Sequence, residues 1–258
     1  MKISKQQLID YQDFTIRNVS LSKENRKDFF LIKNILLASN PDEYSTDFLE
    51  LINSIDKRLY EEWHPFVKFP PFLSWFLFFL GILIQILILY ILNNFYSYFI
   101  NKELLFILLL IIIFFHTILL HSPAHYIVGL LFRIHTKSIF IYRSSIAKAG
   151  FPFKYLAFFM ILPGIKYDFF SLIKAEKIKR AIYFSAGIWG TYSIMILNYF
   201  LLFDKTWGRI QYEFSVLSVF IIAIILLFTI FTSVLYYGDL YKTKLVYKKN
   251  KKIELEIN

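Results

Sequence analysis

The stretch LLHSPAHYIVG (residues 119–129) closes a long apolar run and carries two histidines four residues apart. In a helix, His121 and His125 would lie about 40° apart on one face, where both imidazoles can reach one metal ion. Ionisable side chains within an apolar helix are costly and are usually paired or functional. The pair therefore predicts a metal site, and the alternative is a pair that forms hydrogen bonds between packed helices.

Composition extends this interpretation to the whole chain. Of the 258 residues, 57% are hydrophobic, and several apolar runs reach about 20 residues, the length that spans the hydrocarbon core of a bilayer. The sequence therefore predicts an α-helical polytopic membrane protein. Its four transmembrane helices are expected at about residues 72–94, 104–132, 181–203 and 214–237.

The formal net charge of +10 is unevenly distributed along the chain. Residues 1–70 carry 10 basic and 11 acidic residues, whereas residues 133–180 carry 10 and 2, and the tail from Lys242 carries 6 and 2. Because the basic excess flanks apolar runs, the positive-inside rule predicts a multi-pass integral membrane protein with both termini cytosolic. Membrane lipid, and not nucleic acid, is the partner that this distribution favours.

Composition divides the chain into four parts. The N-terminal part has helical periodicity, and the next part is rich in proline before its apolar run. The third part holds the remaining predicted spans, and the C-terminal part is basic. The parts are a helical cytosolic arm or small domain at 1–64, a proline-rich lead-in with the first span at 65–103, a membrane core at 104–241 and a cytosolic tail at 242–258.

Two local patterns refine this division. Asn40-Pro41 predicts a break between two helices of the N-terminal part, and Ser45 or Thr46 is suited to cap the second helix. Core residues 138–170 are basic yet very apolar, and their first 14 residues predict a short β-hairpin. The apolar residues that follow are too few to cross a bilayer and predict a re-entrant or interfacial element.

Any transition-metal site must use histidine and carboxylate ligands, because the chain has no cysteine. Asp239 ends the fourth predicted span on the same side as the two histidines, and Gly238 would let the backbone approach closely. His116 lies about 140° round the helix from the first histidine and is expected to pack, while His64 and His135 lie in interfacial segments. Two histidines and a carboxylate would form a catalytic-type zinc site. The alternative for Asp239 is a solvated residue at a helix end.

These elements resemble, in their order, the site-2 protease family of intramembrane zinc metalloproteases and related zincin membrane peptidases. HSPAH at 121–125 stands where the family has H-E-x-x-H, and SAGIWG at 185–190 resembles its Ala-Gly-Pro region. Gly-Asp at 238–239 stands where a later helix of the family supplies an aspartate ligand. The resemblance covers about residues 104–245. It implies a three-helix core, a substrate-guiding sheet and a Zn²⁺ ion held by His121, His125 and Asp239.

The chain departs from the family at the residue that activates water. The family has a glutamate general base after the first histidine, and Ser122 occupies that position here. A hydroxyl is not a useful proton acceptor near neutral pH, and loss of a general base typically costs about 10² to 10⁴ in rate. Pro123 also removes a helix hydrogen bond within the motif.

The sequence therefore predicts a metal-retaining pseudoprotease that binds transmembrane helices of other proteins as a regulator or scaffold. One alternative is an active intramembrane zinc endopeptidase with a base from elsewhere, although nothing in the sequence places Asp168 or Glu176 at the metal. The other is a membrane scaffold without metal that binds partners through residues 1–64. A small-molecule transporter is disfavoured, because four spans without an inverted repeat offer little to coordinate a solute.

Overall fold

The computed structural model describes residues 2–17, 20–62, 67–95, 120–143, 161–203, 239–248 and 254–255, and positions 223, 227 and 234. Its helices are α1 (Lys5–Ile16), α2 (Lys23–Ala38), α3 (Thr46–Glu62), α4 (Pro71–Phe95), α5 (120–132), α6 (Phe169–Lys174), α7 (Lys177–Phe203) and α8 (Asp239–Tyr247). Its strands are β1 (Lys2–Ile3), β2 (Val67–Phe69), β3 (Thr136–Arg143), β4 (Ile161–Tyr167) and β5 (Glu254–Leu255).

The break between α2 and α3 lies where Asn40-Pro41 predicts it. A 3₁₀ turn at Pro41–Glu43 follows the end of α2, because proline has no N–H with which to continue a helix. The Ser45 hydroxyl then accepts a hydrogen bond of 3.3 Å from the backbone N–H of Phe48, which satisfies one of the free donors at the start of α3. The prediction that Ser45 or Thr46 caps this helix is confirmed for Ser45.

The N-terminal helices share one core with the segments that follow the sheet. α1 packs against α3, α3 against α6, and α2 against both α7 and α8. Apolar faces of the N-terminal helices are therefore buried against elements of the C-terminal half. The core side chains that are 0 or 1% exposed include Phe14, Phe29, Ile32, Leu36, Ile52, Phe169, Leu172, Tyr183, Phe184 and Val246.

β3 is the central strand of a three-stranded antiparallel sheet in the order β2-β3-β4. This arrangement corrects the predicted hairpin within residues 138–151, because β3 pairs with residues 161–167. It also corrects the predicted re-entrant element, since part of that apolar stretch is β4, whose backbone groups pair with those of β3. Residues 144–160 lie outside the described part of the chain.

Among the described residues, no helix combines the length and the apolar character needed to cross a membrane. This finding overturns the prediction of an α-helical polytopic protein with four transmembrane helices, and with it the multi-pass location with both termini cytosolic. Apolar length does not distinguish a lipid-facing run from one that packs inside a protein: in the first half of α7, Ala181, Phe184 and Ile188 are buried. The runs predicted as spans at 104–132 and 214–237 fall largely outside the described residues.

Candidate metal centre

Side chains from α5 and α8, which are far apart in the chain, lie next to each other in the structure. His121 and His125 come from α5, and Asp239 is the first residue of α8. Asp239 Oδ2 lies 3.0 Å from Nε2 of each histidine. One ligand atom from each of the three residues lies within 4.8 Å of the others, so the group could hold a metal ion.

The centre is buried on one side and accessible on the other. The His125 side chain is 2% exposed and that of Asp239 is 11% exposed, whereas that of His121 is 29% exposed. The two imidazole rings are 5.0 Å apart between centroids and nearly perpendicular, as neighbours one turn apart on α5. A small ligand can therefore approach from the side of His121.

The orientation of His125 is set by the backbone of α7. Its Nδ1 lies 2.7 Å from the carbonyl oxygen of Tyr183. Because a carbonyl only accepts hydrogen bonds, Nδ1 must carry the proton, and the neutral ring then has a lone pair on Nε2. Metal-binding histidines are commonly fixed in this way, by a hydrogen bond from the other ring nitrogen.

The contact between His125 and Asp239 requires a cation. A lone pair on Nε2 and a carboxylate oxygen 3.0 Å away repel each other unless a second proton on the imidazole or a metal ion lies between them. Burial raises the pKa of Asp239, but the neighbouring His125 and His121 lower it by more, so the net pKa lies well below the usual value. A lowered pKa favours the ionised carboxylate, which is the form of aspartate that binds metal.

Gly187 on α7 leaves space beside both donor nitrogens. A Cβ at this position would lie 2.5 Å from His125 Nε2 and 2.6 Å from His121 Nε2. Zinc–nitrogen bonds are about 2.0–2.1 Å, so any larger residue would occupy the volume that a metal ion needs. One turn further on, a Cβ at Gly190 would lie 2.5 Å from the Cβ of Ala124. The segment SAGIWG therefore brings α7 into close contact with α5.

Ser122 is 2% exposed, and its hydroxyl has no hydrogen-bond partner among the described residues. The two acidic residues considered as substitute bases are engaged elsewhere. Asp168 caps α6 and forms an ion pair of 2.6 Å with Lys137, while the largely exposed Glu176 pairs with Lys179. The described part of the chain therefore places no carboxylate other than Asp239 in the metal-binding group.

The structure brings together the three residues predicted as ligands. His135 is described but does not join them, while His64, His116 and Gly238 lie outside the described residues. Sequence reasoning missed the parts played by Tyr183 and Gly187. A backbone carbonyl leaves no side-chain signal, and SAGIWG was singled out only for its resemblance to the Ala-Gly-Pro region of the family.

Comparison with known proteins does not extend the family resemblance. A scan against protein-family models, a search of curated proteins and a search of solved structures each gave no match. Function is therefore inferred from the geometry of the centre and from the order of the motifs along the chain.

Proposed function

We propose that this protein binds Zn²⁺ through His121, His125 and Asp239. The observation that carries the proposal is the 3.0 Å contact between His125 Nε2 and Asp239 Oδ2, with Nδ1 of the same ring committed to the Tyr183 carbonyl. Two imidazoles favour zinc over magnesium or calcium, which prefer oxygen ligands. Two histidines and one carboxylate also match zinc sites that keep a fourth position open for water or substrate.

The residues around the centre support binding more than hydrolysis. Bound zinc acts as a Lewis acid and lowers the pKa of its water to about 7. The Tyr183 carbonyl holds His125 in the tautomer that exposes Nε2, and Gly187 keeps the adjacent volume free. Ser122 cannot remove a proton near neutral pH, so the step that a general base assists is left without one.

We infer that the protein is a pseudoprotease related to the site-2 protease family, which binds a segment of another protein without cleaving it efficiently. The order of HSPAH, SAGIWG and Asp239 along the chain supports this inference, as does their convergence at one centre. Membrane lipid and transmembrane helices of other proteins stay predicted partners. An active endopeptidase has less support, because Asp168 and Glu176 pair with lysines away from the centre.

The test is the zinc content of the purified full-length chain. Wild type, His121→Ala and Asp239→Ala are compared, with Ser122→Ala as the matched control beside a ligand. We expect close to one zinc per chain in wild type and in the control, and loss of most of it in the two ligand variants. A wild-type chain that holds no zinc after zinc has been supplied would overturn the proposal and favour the scaffold without metal.

A further inference from the structure

Arg180, in the first turn of α7, is fully buried without a carboxylate partner. Its exposed fraction is 0%, and no described acidic side chain forms an ion pair with it. The guanidinium instead donates to five backbone carbonyl oxygens at 2.7–3.2 Å, three of which share the two N–H groups of Nη1. The acceptors are Leu36, Leu37, Ser39, Ile173 and Ala175.

These five acceptors belong to the ends of two helices. Leu36, Leu37 and Ser39 close α2, and Ile173 and Ala175 close α6. Carbonyls in the last turn of a helix lack intrahelical partners and carry partial negative charge, which favours a cation there. Burial lowers the pKa of Arg180 to about 10, so the side chain is still positively charged at neutral pH. One arginine therefore joins two helix ends to the start of α7.

The same face of α7 supports the metal centre. Tyr183 and Gly187 follow Arg180 by three and seven residues, which places them about 300° and 340° round the helix and thus on one side. The Tyr183 carbonyl accepts the hydrogen bond from His125, and Gly187 faces both imidazoles. A shift of the first turn of α7 along the helix axis would therefore move the Tyr183 carbonyl away from His125 and Gly187 away from the two imidazoles.

The helix that carries Asp239 is also held by α7 and α2. α8, which begins at Asp239, packs against both α7 and α2. The Thr243 hydroxyl, one turn into α8, lies 2.9 Å from the backbone carbonyl oxygen of Asp239 and 3.4 Å from that of Ala181, directly after Arg180. The helix end that Arg180 caps thus belongs to an element that also supports the carboxylate ligand.

We propose that Arg180 is a positioning residue of the metal centre. By holding the ends of α2 and α6 against α7, it keeps the Tyr183 carbonyl and Gly187 in register with His125. The inference rests on the proposed metal site for its functional meaning. Its effect on His125 nevertheless exists in the metal-free protein, so it can be measured separately. The N-terminal helices thereby gain a role as part of the support of the centre.

The first readout is the tautomer of His125 in the metal-free, full-length protein, followed by nitrogen NMR of the imidazole. Arg180→Lys keeps the charge but loses the planar fork, and Arg180→Gln keeps a planar donor but loses the charge. The control is Ile52→Val or Ile52→Ala in α3, whichever lowers Tm by the same amount as the Arg180 variants do. We expect Nδ1 to be protonated throughout in wild type and in the control, as the hydrogen bond to the Tyr183 carbonyl requires, and only in part of the molecules of the two Arg180 variants.

The second readout is Co²⁺ affinity, with Co²⁺ as a spectroscopic substitute for zinc. Loss of groups that orient metal ligands typically weakens metal binding 10- to 100-fold, and we expect a loss of that size in Arg180→Lys beyond that of the control. An Arg180→Lys protein that loses Tm but keeps the tautomer and the affinity would show a purely structural role and overturn the inference. A wild type that binds no metal, with a tautomer that still depends on Arg180, would refute the proposed function and support the positioning role.

If neither Arg180 variant folds, wild-type protein in low denaturant supplies the test. Exchange of the guanidinium protons reports opening of the contact between Arg180 and the helix ends, and the imidazole signals report His125 in the same sample. The inference is supported if the guanidinium protons of Arg180 lose protection at the same denaturant concentration at which His125 loses its single protonation pattern. Exchange of the guanidinium with an unchanged tautomer contradicts it.

Discussion

His125 Nε2 and Asp239 Oδ2 lie 3.0 Å apart although 114 positions separate the two residues in the chain. Since Nδ1 of His125 is committed to the Tyr183 carbonyl, the two facing atoms are both acceptors when the imidazole is neutral. The contact therefore gains stability from a bound cation and loses it when that cation is removed. This property separates a metal site from an ordinary hydrogen-bonded pair of side chains.

Asp239→Asn should abolish zinc binding without destabilising the metal-free protein at pH 8. The amide can donate to His125 Nε2, whereas the wild-type carboxylate faces the lone pair of that atom. We expect Tm in excess chelator to be equal to or higher than that of wild type, and zinc to raise Tm in wild type alone. The measurement is thermal unfolding with chelator and with zinc, and His121→Ala is the control that removes a different ligand. A lower Tm for Asp239→Asn in chelator would point to a charged His125 in place of a metal.

Ser122→Glu should create or raise peptidase activity if the missing base is what prevents hydrolysis. A restored general base is worth about 10² to 10⁴ in rate. The assay is cleavage of unstructured protein substrates by the zinc-loaded chain, with Ser122→Gln as the control of matching size without a base. Because Ser122 is 2% exposed, the zinc content of each variant must be measured alongside. A zinc-loaded Ser122→Glu protein without activity would count against the pseudoprotease, and a wild type that cleaves equally well after Ser122→Ala would indicate another base.

Gly187→Ala should remove metal binding while Gly190→Ala retains it. The new Cβ at position 187 would lie 2.5–2.6 Å from both donor nitrogens, whereas at position 190 it would meet Ala124. Overpacking of this kind typically costs about 1–3 kcal/mol of stability, partly offset by the higher helix propensity of alanine. We therefore expect similar changes in Tm but at least a tenfold weaker zinc affinity for Gly187→Ala alone, measured by competition with a chelator. Equal affinities in the two variants would remove the argument that Gly187 provides the space for the ion.

The sequence predicted local features and one long-range convergence. The spacing of His121 and His125 and the helix break before Ser45 follow from periodicity and capping, which act within a few residues. The meeting with Asp239 was expected from topology and motif order. By contrast, the partner of β3 lies 18 residues beyond its end, and such pairing depends on packing that no local pattern encodes.

The errors arose where apolar residues had more than one possible environment. Apolar residues satisfy the hydropathy of a membrane span and also that of a protein core, and in the first half of α7 Ala181, Phe184 and Ile188 are buried in such a core. Arg180 gave no signal at all, because its five acceptors are backbone carbonyls. In sequence it was one more basic residue in a basic segment.

Asp56 should contribute strongly to stability, because it joins the N-terminal helices to the sheet. Its side chain is 7% exposed and binds Lys33 of α2 at 2.5 Å and Lys166 of β4. Asp56→Asn would leave two largely buried ammonium groups without their carboxylate, a change that typically costs about 3–5 kcal/mol. Thermal or urea unfolding measures the loss, and Asp47→Asn in the first turn of the same helix is the exposed control. A loss below about 1 kcal/mol would show that solvent screens the three charges.

The same variant should change how stability depends on acid pH. Burial raises the pKa of Asp56, but Lys33 and Lys166 lower it by more, so the folded-state value lies below the usual one. In the range below the unfolded value of about 3.9, the unfolded chain therefore binds more protons than the folded chain. The stabilisation from Asp56 is complete above that range and is lost as pH falls through the folded-state pKa. We expect a plot of unfolding free energy against pH to be less steep on its acid side for Asp56→Asn than for wild type, while an unchanged slope would mean that other carboxyl groups govern acid unfolding.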